Sequence, residues 1–552
     1  MRDGSSLTAA ARRIDLSRPR VGAELVDCGL ILACGALLAL LVRPFQDTPF
    51  VDDWVYGWSV QHLLAGDGLA VMEWSSHANL AHVLWGTLFC LPFGFSFTAL
   101  RISTWTAALV GLCGFYLLLR ALGVERRHAV LGTALLGLNP VFFILSATFM
   151  TDVPFVTLEI WATLALVTAI ARHDERRLWL FALVCSAAMA VRVVGVVLPI
   201  AAVLVLLTHG GTWGRVPRRL ALAAAPLAFF ALLAWWSASH LVHIADLTWV
   251  PGSPTFRKRF LLESLPSLPA FLVKTILCAA ATLGIALLPL VAAAAHRRHV
   301  RPAAVASTFL LLLVGIAWLA GMTWPETLAP GFVWTWGELG ATEQLVAGLP
   351  SPLMPPAIAH LATLLALMSS AVATAIAWRR LRAGDAFLAW SLVGHVALAA
   401  FLWLFYDRYL LAILPLVIAL VLRGAPQLRE RTMVAGVVVL GLMSVLGTRD
   451  HLAYNTALWH AVDGLRAAGV PEDQIDAGYV VDGWFHFARP EHAPRDASGQ
   501  RIFSWLTAPG GLLPWQIANR PLPGWQVTET VPYTRVLGRS GALYVLRRDP
   551  GS

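Results

Sequence analysis

"LVDCGLILACGALLALLV" occupies residues 25–42, and "RPFQDTPFVDDWVYGW" follows it at 43–58. The first stretch is close to the ~20 apolar residues that carry a helix across a bilayer. The second sets Asp52 and Asp53 side by side among Trp54, Tyr56 and Trp58, where that crossing would end. Runs like the first recur as far as Leu446, separated mostly by short loops. The chain is 58% hydrophobic and 13% charged over 552 residues, roughly half the charged share of an ordinary soluble protein. Its main solvent is therefore lipid, in which helices close their backbone hydrogen bonds internally.

The formal charge of +9 does not point to nucleic acid, because the arginines gather in short loops between apolar runs, which is a topology signal. Six cysteines lie in or beside apolar runs and none follows Arg449, so no disulfide framework or zinc site is implied. The first run follows an Arg-rich start without an evident small-residue cleavage site. It is expected to be a retained signal anchor.

Taken in order, thirteen candidate spans fall near 24–43, 99–119, 128–147, 152–171, 178–192, 194–208, 218–239, 270–294, 303–322, 356–378, 385–404, 408–423 and 432–448. The loops "RALGVERRH", "ARHDERR", "THGGTWGRVPRR", "AHRRHVRP", "WRRLRAG" and "LRGAPQLRER" are basic, and the positive-inside rule makes them cytoplasmic. "LAHVLWGTLFCLPFGFSF" at 80–97 is apolar too, but counting it as a span would invert every later loop. It is expected to be a re-entrant or interface-lying helix within a first outer loop at 44–98. The expected fold is an all-α polytopic membrane protein: a cytoplasmic segment 1–23, a transmembrane domain 24–449, and a small extracytoplasmic α/β domain 450–552. Within this outer domain the pattern predicts an amphipathic helix, a Pro stop, a strand at "AGYVV" and a hairpin around Gly538 to Gly541.

This topology brings the unusual polar residues to one side. Asp52 and Asp53, Asp152, Arg192, Lys274 and Asp407-Arg408-Tyr409 share the outer membrane level, and ionisable groups at such depth face a cavity or one another. Either first-loop aspartate suits proton removal from a hydroxyl or, with Asp152, the holding of a divalent cation. Capping a helix Trp54–Leu64 is the plain alternative for the pair, and capping the following span with Pro154 in its first turn is that for Asp152. Glu159 lies about two turns deeper than Asp152 and needs a partner or a cavity. Arg192 and Arg408 are candidates for a lipid phosphate, as is Lys274; the Arg257-Lys258-Arg259 cluster reads as a headgroup anchor. His77 is a loop hydrogen-bonder or a site residue, and Trp54, Trp58 and Trp74 offer faces for a sugar.

The acidic pair after the first span, "FMTDVPF" at the start of a later one, "MAVRVVGVVLPI" and "YDRYLLAILPLVIAL" resemble the GT-C superfamily of polyprenyl-phosphate-sugar glycosyltransferases. Within it they are most similar to the branch of protein O-mannosyltransferases and the lipid A aminoarabinose transferase. The likeness covers about residues 25–450. It implies an inverting transferase with its site on the extracytoplasmic face and a polyprenyl-phosphate sugar as donor. By position, Asp52 or Asp53 would be the general base, Asp152 a second acid of the site, and Arg192 with Arg408-Tyr409 would sit near the donor phosphate. This chain has Asp-Asp where the family often has Asp-Glu, which leaves both aspartates open, and "HANLAH" lacks the Pro-Pro that often follows the loop His. The acceptor would be a lipid, polysaccharide or protein hydroxyl, and a divalent cation is the one cofactor left room for.

A polytopic transporter or lipid flippase is the rival reading, and a scaffold with a binding tail the third. The sequence shows neither the repeated halves nor the midplane polar cluster common in transporters. An Arg- and Ala-rich chain with few Lys suggests a high-GC bacterium and its plasma membrane, with the N-terminus cytoplasmic and the C-terminus outside.

Overall fold

The structure is a computed structural model and describes residues 21–71, 79–209, 216–240, 242–243, 268–295, 300–319, 346–348, 356–381, 385–400, 407–425, 427–487, 513–536 and 540–548. It is mostly helical, with a small sheet near the C-terminal end. The helices used below are α1 (Val21–Val42), α2 (Asp53–Leu64), α3 (Leu80–Cys90), α4 (Phe97–Ala121), α5 (Arg126–Gly137), α6 (Pro140–Ser146), α7 (Asp152–Arg172) and α8 (Glu175–Met189). They continue as α9 (Val197–His209), α10 (Val216–His240), α11 (Leu268–Ala294), α12 (Val300–Leu319), α13 (Pro356–Leu381), α14 (Ala386–Ala400), α15 (Leu414–Gly424), α16 (Glu430–Ala467) and α17 (Tyr479–Asp482).

Every one of the thirteen expected places holds helix, but among the described residues not all thirteen are full-length spans. Among the described residues seven helices are long and apolar enough to cross a membrane, or eight if the bent pair α5 and α6 is one span. That pair turns by 65°. Pro140 lacks the N–H that would continue α5, and Asn139 caps α6 by accepting from the N–H of Val141 and Phe142 at 3.1 and 3.3 Å. At 80–97 the chain forms only the 11-residue α3, too short to span. Close helix contact comes from small residues: a Cβ on Gly284 of α11 would overlap the carbonyl of Ala366 on α13.

The expected boundary at 449 falls inside one helix. α16 runs unbroken for 38 residues, about 57 Å at 1.5 Å per residue, well beyond a hydrocarbon core of about 30 Å. Its C-terminal half carries the tail. Apart from the short parallel pair β1 (Ala70–Val71) and β2 (Val242–His243), the strands lie here: β3 (Ile475–Asp476), β4 (Trp515–Ala518), β5 (Trp525–Tyr533) and β6 (Gly541–Arg548) form a sheet in the order β3-β4-β6-β5, with β3 parallel to β4 and the other pairs antiparallel. The hairpin expected around Gly538 is the β5–β6 pair. The strand expected at "AGYVV" is instead β3 two residues earlier, followed by α17 and a π-helical turn at Gly483–Phe487. Gly478 takes φ +82°, and Asp482 and Asp476 accept from the N–H of Ala477 and Gly478, so side chains take over the ladder bonds that a strand would need.

One packing feature positions everything that follows. Trp54 and Val55 of α2 belong to the tail's apolar core, with Tyr454, Leu458, Trp459, Val462, Tyr479 and Phe485. The segment that follows α1 is therefore clasped by the C-terminal end of the chain.

Candidate active site

The loop 43–52 is held from two sides. From α4, Arg101 donates Nη1 to the carbonyls of Pro44 (3.4 Å) and Gln46, and Nη2 to Thr48 O (2.5 Å) and Asp53 Oδ2 (3.4 Å). From α16, Asn455 Nδ2 and Trp459 Nε1 both donate to Pro49 O, at 3.3 and 3.1 Å. This grip holds Val51 at φ +60°, a costly place for a β-branched residue. The turn at Val51 separates the two aspartates that follow it.

Asp53 faces inward. It is fully buried with Arg101, and its Oδ1 accepts from Phe50 N. Burial pushes its carboxyl up to about 6, while Arg101 and the N–H groups of Phe50 and Phe149 act the other way. Asp52 faces outward from the start of α2, where it makes no capping bond. Its Oδ2 instead accepts from Arg408 Nη1 at 2.7 Å, across 356 residues of chain, with 16% and 11% of the two side chains exposed.

A second pair lies alongside. Asp152 opens α7 without acting as its cap and accepts from Arg192 Nη1; Arg192 sits in the break between α8 and the 3-10 turn Val193–Val196 and is 21% exposed. The ring of Tyr409 is flanked by both guanidinium groups, with Arg192 Cζ at 5.5 Å and Arg408 Cζ at 5.8 Å from its centroid. Five of the residues expected from sequence thus come together: Asp52, Asp152, Arg192, Arg408 and Tyr409. Beside them, buried Asp407 accepts from Arg408 N at 2.7 Å and borders a small, mostly apolar cavity of about 50 Å³ whose lining includes Leu283, Ala286, Leu411, Leu440 and Met443.

Other expectations do not meet there. Trp54 is fully buried, edge-on to Tyr479 at 5.6 Å, with no face left for a sugar. Glu159 is buried on α7, with Oε1 at 3.4 Å from His395 Nε2 of α14, so it has a protein partner. His77, Trp74, the Arg257-Lys258-Arg259 cluster and the side chain of Lys274 lie outside the described residues.

Arg101 and Tyr56 were missed. Arg101 carried the same signal as Arg192, a lone basic residue near the outer end of an apolar run. Tyr56 lies one turn beyond Asp52; burial pushes its phenol up to about 12, with Asp52 adding to this and Arg408 and Arg192 opposing it. A cation does not fit the residues as they stand. Asp52 and Asp152 each hold a guanidinium, and the described residues contain no group of three His, Cys, Asp or Glu side chains arranged to bind a metal.

No curated protein matches the sequence. Among solved structures, the S. cerevisiae protein O-mannosyltransferase Pmt1-Pmt2 complex bound to the sugar donor aligns at 14% identity and a TM-score of 0.32, over 38% of this chain and 33% of that one. ArnT from Cupriavidus metallidurans bound to undecaprenyl phosphate aligns at 12% identity and a TM-score of 0.39, over 94% of this chain and 98% of that one. Residues 80–237 match the family described as dolichyl-phosphate-mannose-protein mannosyltransferase. The matched segment is under a third of the chain and includes Asp152 and Arg192.

Proposed function

We propose that the protein transfers a sugar from a polyprenyl-phosphate donor to an acceptor hydroxyl at the extracytoplasmic face of a bacterial plasma membrane, with inversion, and that Asp52 is the general base. The observation that carries this reading is the Asp52–Arg408 pair, which puts a partly exposed carboxylate against a guanidinium, with Arg192 and Asp152 close by around Tyr409. Family resemblance supplies the donor class. The acceptor is a hydroxyl on a lipid, polysaccharide or protein.

In this mechanism the acceptor hydroxyl attacks the anomeric carbon from the face opposite the lipid phosphate. Asp52 takes the hydroxyl proton, the new glycosidic bond forms as the bond to the phosphate oxygen breaks, and the polyprenyl phosphate leaves as an anion. Arg408 and Arg192 stabilise the charge that develops on that phosphate. Arg408 donates to the Asp52 oxygen that must receive the proton. An arriving phosphate competes for Arg408 and frees the carboxylate, so donor binding readies the base. Asp152 keeps Arg192 in place, and Asp53 holds the loop.

The test is transfer by the purified protein from a panel of radiolabelled polyprenyl-phosphate sugars, comparing wild type with Asp52→Asn, Asp53→Asn and Asp152→Asn. Loss of transfer in a folded Asp52→Asn variant supports the assignment. Full function of all three variants in the cell would return the chain to the transporter reading.

A further inference from the structure

The tail holds a second pair of acids that this reaction does not use. Asp476 closes β3 and Asp482 closes α17, with 7% and 0% exposure. Asp482 Oδ1 accepts from Ala477 N at 2.9 Å, while Asp476 accepts from Gly478 N at 3.4 Å and, through Oδ2, from Gln516 Nε2 at 3.1 Å. The two carboxyl groups thus hold the N–H groups of adjacent residues, and the second oxygen of Asp482, Oδ2, is buried without a hydrogen-bond partner. Two neighbouring carboxylates repel, whereas one proton between them makes a bond. Burial above all, then the charge of Asp476, lifts the Asp482 carboxyl well above the usual range, against the opposing N–H groups of Ala477 and Gly478.

The place of this pair gives it a consequence. Tyr479, on the same short helix as Asp482, meets Trp54 edge-on at 5.6 Å, and the backbone of Gly483, next to Asp482, lies against the Trp54 ring. Trp54 is two residues from Asp52. We propose that Asp476 and Asp482 share one proton and that this shared proton holds the joint by which the tail positions Asp52. The proposal rests on Asp52 being the reactive carboxylate. The pair would be a positioning device, acting on the reaction through α2.

Among the described residues Asp53, at the head of α2, is the rival on the same limb, since burial pushes its carboxyl up to about 6; its step would remain in Asp482→Asn and would not be centred on 475–487. From β4 the pair meets Gln516, and from α2 the nearby side chain is Trp54, both uncharged. Asp53 is turned toward Arg101 and Asp52 toward Arg408. Among the described residues of the tail the titratable neighbours are Tyr479 and His486, the latter with Nε2 at 3.4 Å from Ile475 O. Arg466, 5.5 Å above the Phe485 ring, is paired with Asp463 and Glu472. Histidine gains charge as pH falls, so its effect lies on the other limb of a pH profile. Because the Asp482 carboxyl holds its proton more tightly folded than unfolded, its contribution is full below the ordinary carboxylate range and is lost as pH rises through the raised value.

The experiment is hydrogen exchange of the full-length protein in nanodiscs across a pH series, corrected for intrinsic exchange, read at 475–487 and 53–64 and paired with donor turnover. The wild type should lose protection in both segments together on the alkaline side, with turnover falling in the same interval. Asp482→Asn, and independently Asp476→Asn, should remove that step and carry turnover to higher pH, since an amide beside the remaining carboxylate supplies the missing hydrogen permanently. An alkaline step unchanged in both variants, or none in the wild type, overturns the proposal. If the exchange behaves as expected while Asp52→Asn still turns over donor, the joint stands as a pH-sensitive element and its link to catalysis is overturned.

Discussion

Two adjacent aspartates meet two arginines in very different ways. Asp53 and Arg101 are sealed from solvent, and Arg101 also serves three backbone carbonyls of the loop. Asp52 and Arg408 retain 16% and 11% of their side-chain exposure. An enclosed pair whose cation is committed to the loop behaves as a fastener. A pair open to solvent, with a second guanidinium nearby on Tyr409, can exchange one partner for a substrate. The difference between structure and chemistry here lies in surroundings, because the side chains are the same.

The strongest way to break this contrast is to remove one acid at a time. Asp52→Asn should lower sugar transfer by about 10²–10⁴-fold, the usual worth of a positioned general base, with an unchanged melting temperature in detergent. Asp53→Asn should instead keep most of the transfer and lower the melting temperature. A reversed result would make Asp53 the base. Next comes the fastener itself: Arg101→Ala leaves a buried carboxyl without its cation and should destabilise the protein by about 3–5 kcal/mol. Arg192→Ala, on a 21% exposed partner, should cost clearly less on the same thermal assay.

Protonation sharpens the contrast further. The Asp53 carboxyl, pushed up to about 6 by burial, binds its proton more tightly in the folded protein than in the unfolded chain. Its contribution is therefore full below the ordinary carboxylate range and is lost as pH rises through about 6, a change on the order of 3 kcal/mol. Melting curves between about pH 4 and pH 8 should show this component in wild type and lack it in Asp53→Asn. An identical pH dependence in both would mean that Asp53 is not the group responsible.

How much of this was legible in the sequence depends on the range of each signal. Helix places were, because hydropathy is local and needs no partner. Asp52, Asp152, Arg192 and Arg408 were also legible as a group, since charges on one side of a membrane are few and each needs a reason. Their pairing was not, since Asp52 meets Arg408 across 356 residues and nothing in either neighbourhood names the other. Trp54 misled for the same reason: an aromatic beside two acids suggests sugar stacking until Tyr479 and Gly483 are seen to cover it. The "AGYVV" stretch has strand composition, yet Gly478 and the two acids around it supply bonds that periodicity does not register.

Gly483 gives the smallest of these effects and ties the two regions together. A Cβ there would stand 2.5 Å from Trp54 Cζ2, and neither group has a soft way to yield, because the indole is packed between Tyr479 and the tail core. Overpacking of this kind costs about 1–3 kcal/mol. Gly483→Ala should therefore lower the melting temperature modestly, and because Trp54 sits in the first turn of the helix that Asp52 precedes, it should also reduce transfer. Trp54→Phe combined with Gly483→Ala relieves some of the clash and should recover both. Recovery of stability without recovery of transfer would mean that the tail only braces the loop; recovery of both would mean that the place of Asp52 is set by what packs behind it.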